Sequence, residues 1–177
     1  MFEYEESELL DVVNDKDEVI DVIHRSDIMS LRNTPGRYLH VIEVFLQRPN
    51  GDIYLPRRSS EKKLFPGSLD HSAAGHMMRG ESYEQALLRE TREELGIDAT
   101  LKDFLFIKKF SPKDELFYFR KFYLLKTDAT PRLSPEHTEA AWVPLNQLQD
   151  FLNNDIPAKS PLYEDVGVLV GFLSPES

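Results

Sequence analysis

Apolar and polar positions divide the chain into short alternating runs and three helical stretches. Leu10–Val13 and Val19–His24 predict two short strands joined by the polar turn Asn14-Asp15-Lys16-Asp17. Arg25 to Arg37 reads as a connecting loop or short helix, with a turn at Pro35-Gly36. Tyr38–Gln47 alternates as a strand, and Asp52–Pro56 is its partner across the hairpin signal Asn50-Gly51. Leu69–Ala74 is a short apolar strand. Thr100–Phe110 and Leu116–Lys126 predict two more strands around a polar turn, Ser111–Glu115. The aromatics of the second read as core residues. Ala140–Val143 is a short strand carrying Trp142, a helix opens at Pro144-Leu145, and Leu162–Phe172 closes the pattern as an amphipathic helix. The expected fold is α/β, a mixed sheet sandwiched by helices and preceded by a small N-terminal β-hairpin.

The longest helical stretch, Tyr83 to Leu95, has the clearest boundaries. Ser82 is its N-cap, with Gln85 placed to complete a capping box. No Pro or Gly interrupts it, and Gly96 stands where a left-handed cap would end it. On this helix Glu90, Glu93 and Glu94 fall at i, i+3 and i+4 and share one face. Leu88, Thr91 and Leu95 lie on another arc that can pack on a core. Three neighbouring carboxylates repel one another, at a cost of roughly a few tenths of a kcal/mol per exposed pair. A hard divalent cation reverses that cost, because Mg²⁺ and Mn²⁺ prefer oxygen ligands. The pattern by itself is more often that of a solvated acidic helix face.

Composition narrows the classes. The 177 residues suit one domain, with residues 1–30 as a hairpin extension. Hydrophobic residues make up 41% and charged residues 29%, as in soluble globular proteins. No apolar run approaches the roughly 20 residues that span a bilayer. The acidic start MFEYEESELL is expected to be neither a secretory nor a transit segment. There is no Cys, so disulfides and thiol catalysis are excluded and a cytoplasmic location is expected. A net charge of −10 argues against an extended nucleic-acid partner. A polyanionic small molecule would need local cations, and Arg57, Arg58, Lys62 and Lys63 form such a cluster.

The stretch Gly75 to Ile97, GHMMRGESYEQALLRETREELGI, resembles the signature box of the Nudix hydrolases at every fixed position through Gly96. Its one soft departure is Thr91, where the family usually has an aliphatic residue. The resemblance implies an α/β/α sandwich and Mg²⁺- or Mn²⁺-dependent cleavage of a small diphosphate linked to another moiety X, with a homodimer as a common family state. It implies carboxylate ligands from Glu90, Glu93 and Glu94, with a backbone carbonyl from Ala74 or Gly75. It pairs Arg89 with Glu81, either to orient the catalytic carboxylates or only to fix the loop on the helix. A further acid outside the box commonly completes such sites, and Glu136 is the first candidate, with Glu139 and Glu115 behind it.

The half before the box is similar to the isopentenyl-diphosphate isomerase branch of the family. Those enzymes carry a catalytic Cys where this chain has Ala74, and a catalytic Glu on a later strand where it has Tyr118 and no carboxylate. His40 and His76 match metal-binding His positions of the isomerases and read here as structural residues. The competing expectations are therefore a Nudix hydrolase, an idle Nudix-fold module binding a nucleotide or partner, and, third, an isomerase.

Overall fold

The computed structural model describes residues 8–62, 64–113, 116–154 and 157–174. In chain order the strands are β1 (Leu9–Val13), β2 (Val19–His24), β3 (Leu39–Gln47), β4 (Ile53–Arg58), β5 (Ala73–His76), β6 (Phe104–Phe110), β7 (Tyr118–Lys126) and β8 (His137–Val143). The helices are α1 (Tyr83–Glu90), α2 (Leu148–Asn154) and α3 (Ser160–Leu173), with a 3-10 turn at Arg25–Leu31. β1 and β2 pair antiparallel as the expected hairpin, and Asp17 in its turn takes a left-handed φ of 67°.

The main sheet runs β6-β7-β3-β4-β8, with β5 alongside β3. β3 and β7 are parallel along their whole length, and the other pairs are antiparallel. The free edge of β3 forks. Val41 to Val44 pair with β5, whereas Leu46 and Gln47 pair with β4. Ser72 fills the fork: its hydroxyl accepts from the Leu46 N–H at 2.8 Å and donates to the Tyr54 carbonyl at 2.5 Å. Buried backbone groups that leave a ladder need such partners.

Strand alternation sorts the core onto two faces. Ile42, Val44 and Leu46 pack with Tyr123, Leu125 and the α1 residues Ala86 and Leu87. Phe45, Phe122 and Leu124 pack on the other side with Leu148, Leu152, Leu162, Val166 and Leu169 from α2 and α3. Each of these buried leucines contributes about 1.5–3 kcal/mol. A third cluster, including Leu10, Val12, Ile28, Leu39 and Phe117, joins the hairpin to the sheet. Among the described residues no helix is long and apolar enough to cross a membrane.

Several expected boundaries move: β6 starts at Phe104 instead of Thr100, and β8 at His137 instead of Ala140. The strand before the box starts at Ala73, because Asp70, His71 and Ser72 turn to side-chain partners instead of a ladder. The last helix starts at Ser160, where Pro161 occupies a first-turn position that needs no N–H donor.

A buried ionic network lies between β3, β7 and α3. Arg120 Nη1 donates to Glu43 Oε2 at 2.8 Å and to Asp165 Oδ2 at 2.7 Å. His71 Nε2 lies 2.8 Å from the same Asp165 oxygen. Among the described residues, Glu43, His71 and Asp165 form the one trio of metal-type donors with ligand atoms within 4.8 Å of one another. Arg120 already fills the role of the cation there. Burial alone would lower the His71 pKa, but the Glu43, Asp165 and Asp70 carboxylates overcome it and raise it to about 9.

Replacing Arg120 by Met would leave two acids buried without their cation and should cost about 3–5 kcal/mol, read as a lower urea midpoint. The His71 contribution should be complete below its ordinary pKa of 6.5 and should fade as pH rises to about 9. Denaturation of the H71Q variant across that window should accordingly show a shallower alkaline decline than the parent chain.

Candidate functional site

The site is built on the end of β5, the loop after it, and α1. The capping box forms: Ser82 Oγ accepts from the Gln85 N–H at 3.2 Å, and Gln85 Oε1 accepts from the Ser82 N–H at 2.8 Å. α1 continues as a π turn over Thr91–Leu95, and Gly96 ends it with a φ of 67°. Thr91 and Leu95 are buried, so Thr91 serves the core as its methyl allows. The π turn widens the helix where Glu93 and Glu94 leave it, a local deviation often found at functional sites.

Arg89 gathers the acids. It holds Glu81 in a fork, Nε to Oε1 and Nη2 to Oε2, both at 2.9 Å. Its Nη1 donates to Glu90 Oε1 at 2.7 Å and to Glu93 Oε2 at 3.2 Å, and its Nη2 reaches the His76 carbonyl at 3.0 Å. Glu81 Oε2 also accepts from the Met78 N–H at 2.9 Å, which closes the loop on itself. The expected Arg89–Glu81 pair is therefore present, and it fixes the loop on the helix.

Glu90 is almost fully buried, and its carboxylate fills the space over Gly75. A Cβ at position 75 would lie 1.8 Å from Glu90 Oε1. Glu94 Oε2 accepts from the Ala74 N–H at 3.0 Å. Burial raises the Glu90 carboxyl to about 7, although Arg89 pulls the other way. Burial also raises the Glu94 carboxyl well above its usual range, and the charges of Glu90, Asp70 and Glu136 push it further. Glu93 stays exposed at 57%.

The buried Glu90, the half-buried Glu94 and the exposed Glu93 supply oxygen donors of the kind a hard divalent cation accepts, although their ligand atoms do not converge within 4.8 Å as those of Glu43, His71 and Asp165 do. Such an ion stabilises the charged forms and accepts an all-oxygen donor set. The carbonyls of Ala74 and Gly75 lie on the same strand end.

The basic cluster is folded back onto acids. Arg58 Nη1 pairs with Asp70 Oδ2 at 2.7 Å, Lys62 with Glu136 at 2.7 Å, and Arg57 with Glu139 at 2.8 Å. Asp70 is bound as well by Lys159 Nζ at 3.1 Å. Since the charges of Asp70 and Glu136 act on Glu94, these pairs stand within electrostatic reach of the box carboxylates. Lys63 and Glu115 lie outside the described residues.

His40 and His76 take opposite faces of the sheet. His40 engages Asp17 and meets Tyr83 at a tilt of 56°, whereas the half-buried His76 lies edge-on to Tyr118, where desolvation of its ring lowers its pKa to about 3 and keeps it neutral. They do not form one ligand set. Sequence reasoning missed Asp70, Lys159 and the Arg120 network. The available signal was the polar trio Asp70-His71-Ser72 inside a run read as apolar strand.

Comparison with known proteins agrees with this architecture. A family model described as the NUDIX domain matches residues 37–166. A Nudix hydrolase of Deinococcus radiodurans is 40% identical over 129 residues, covering 72% of this chain and 73% of the relative. An uncharacterized Nudix hydrolase of a Nostoc species is 36% identical over 157 residues, covering 88% and 91%. Isopentenyl-diphosphate isomerases match over shorter spans, for example 49 residues at 49% identity for that of Paenarthrobacter aurescens, 28% of this chain and 27% of that one. A crystal structure of a Deinococcus radiodurans protein superposes with a TM-score of 0.76 at 34% identity, covering 90% of this chain and 98% of that one.

Replacing Gly75 by Ala should displace the Glu90 carboxylate while leaving the backbone in place. We expect a stability loss of only about 1 kcal/mol, with Mn²⁺ affinity, followed by electron paramagnetic resonance, reduced about tenfold or more.

Proposed function

The chain belongs to the Nudix hydrolases, and from that premise we propose that it is a divalent-metal-dependent pyrophosphohydrolase acting on a nucleoside diphosphate linked to another moiety X. The observation that carries this reading is the gathering of the box acids at the end of β5, where Arg89 joins Glu81, Glu90 and Glu93 and the Ala74 N–H holds the half-buried Glu94. Family members generally use divalent metals. In this reading Glu90, Glu93 and Glu94, with a carbonyl of Ala74 or Gly75 and with Glu136 as an outer acid, hold Mg²⁺ or Mn²⁺. Once bound, that ion supplies Lewis acidity toward the phosphoryl oxygens and toward water.

The chain's own residues do the rest. Glu94, held ionised when the cation is bound, takes the proton from the attacking water as the new P–O bond forms. Glu93 is the alternative acceptor. The bridging P–O bond breaks and its electron pair leaves with the departing phosphate. Glu81 and Arg89 keep the carboxylates in register with the loop. Arg57 and Arg58, and Lys63 beyond the described residues, offset the charge of the diphosphate, supported by the pairing of Arg58 with Asp70 beside Glu94. The salt bridges of Arg57 and Arg58 exchange partners when a phosphate enters. A cytoplasmic site of action suits a chain without cysteine.

The test is a panel of nucleoside diphosphate derivatives incubated with Mg²⁺ and Mn²⁺, with products identified by mass. Turnover of at least one compound is expected, and E94Q should lower its kcat by about a hundredfold or more. Metal-independent binding of nucleotide without release of phosphate would instead indicate an idle binding module.

A further inference from the structure

The N-terminal hairpin is docked on the loop that carries Glu81. The Arg79 N–H donates to the Leu9 carbonyl at 2.7 Å, and the Gly80 N–H donates to Asp11 Oδ2 at 2.7 Å. Gly80 takes a left-handed φ of 72°, so the loop turns sharply at the residue that Asp11 holds.

The hairpin is itself anchored to the main sheet at its turn end and through its buried face. Val13 and Tyr38 exchange two backbone hydrogen bonds at 2.8 Å, and Leu10 and Val12 are buried against Ile28, Leu31 and Leu39. At its turn, the Asp17 carboxylate engages His40 and Lys109, which belong to β3 and β6. Its position is therefore tied to that of β3. The loop's other bonds are mostly local: the Glu81 N–H donates to the Met78 carbonyl at 3.0 Å, and Glu81 Oε2 accepts from the Met78 N–H. At the loop's start, the Met77 N–H reaches the His40 carbonyl at 3.1 Å.

We infer that Asp11 is a positioning residue of the site: by holding Gly80, it sets where Glu81 stands, hence where Arg89 draws Glu90 and Glu93. The inference rests on the proposed reading of those acids as metal ligands. A carboxylate–amide bond at a bend one residue before Glu81 transmits the hairpin's position directly to the Arg89 fork. The hairpin thereby becomes part of the catalytic apparatus without touching substrate.

The test uses the full chain with Asp11→Ala and Asp11→Asn. The Asn variant keeps an oxygen acceptor for the Gly80 N–H, and the Ala variant removes it. Four quantities are read: Mn²⁺ affinity, kcat and KM on the compound that the panel identifies, thermal midpoint, and the NMR exchange rates of the Gly80 amide and the Arg89 Nε–H.

For D11A we expect faster exchange at both protons, Mn²⁺ affinity weakened about tenfold, and kcat lowered with KM unchanged. D11N should stay near the parent values. A D11A variant with a lower thermal midpoint but unaltered Arg89 Nε–H exchange, Mn²⁺ affinity and kcat would overturn the inference, since the hairpin would then serve stability alone. Failure of the parent chain to cleave any diphosphate would overturn the proposed function instead. The Arg89 Nε–H exchange would still decide the role of Asp11.

Discussion

One guanidinium bears the architecture of the site. Arg89 uses its planar fork to satisfy both oxygens of Glu81, one of Glu90, one of Glu93 and a main-chain carbonyl at the end of β5. An ammonium has neither the number of donors nor the fixed angles for this. Buried acids and a buried cation each carry a desolvation cost, and it is offset only when every lone pair and proton finds a partner. The loop, the strand end and the helix meet at Arg89, which bonds to all three.

The sheet carries a second such centre on its opposite face, at Arg120. Here too one guanidinium bridges acids from separate elements, Glu43 of β3 with Asp165 and Glu164 of α3. Asp70 stands between the two systems. It is bonded to Arg58 and Lys159, lies beside His71, and acts by its charge on Glu94. Glu43 and Ala74 face each other in register across β3 and β5, so both networks are referenced to the same pair of strands. An acidic chain thus spends its few buried cations at the points where acids must be held still.

Most of the architecture is legible from local rules. The helix of the box announces both its ends through Ser82, Gln85 and Gly96, since each residue meets a specific backbone need. The hairpin strands and the Asn50-Gly51 turn follow from alternation and turn chemistry. The Glu81–Arg89 pair is legible only through the resemblance, because eight residues separate the partners across a bend. What sequence conceals is contact between distant segments. Arg120 and Asp165, or Asp11 and Gly80, carry no local mark of meeting. The spacing of Glu90, Glu93 and Glu94 on a regular helix suggests equal exposure. Packing over Gly75 and the π turn instead bury Glu90 and leave Glu93 in water.

The forked edge of β3 has an evolutionary corollary. The acids of the box are tied to the early half of that strand through β5, whereas Arg57 and Arg58 reach the scene through its late half by way of β4. Segment 127–136 joins β7 to β8 and returns to the box, where the Arg132 N–H donates to the Leu95 carbonyl at 2.8 Å and Arg132 Nη2 to the Glu93 carbonyl at 3.3 Å. A change of length there would press on the end of the box helix and shift Glu136, whose charge acts on Glu94. A lineage can therefore alter β4, which meets β3 only at Leu46 and Gln47, with less risk to the box acids than it can lengthen 127–136.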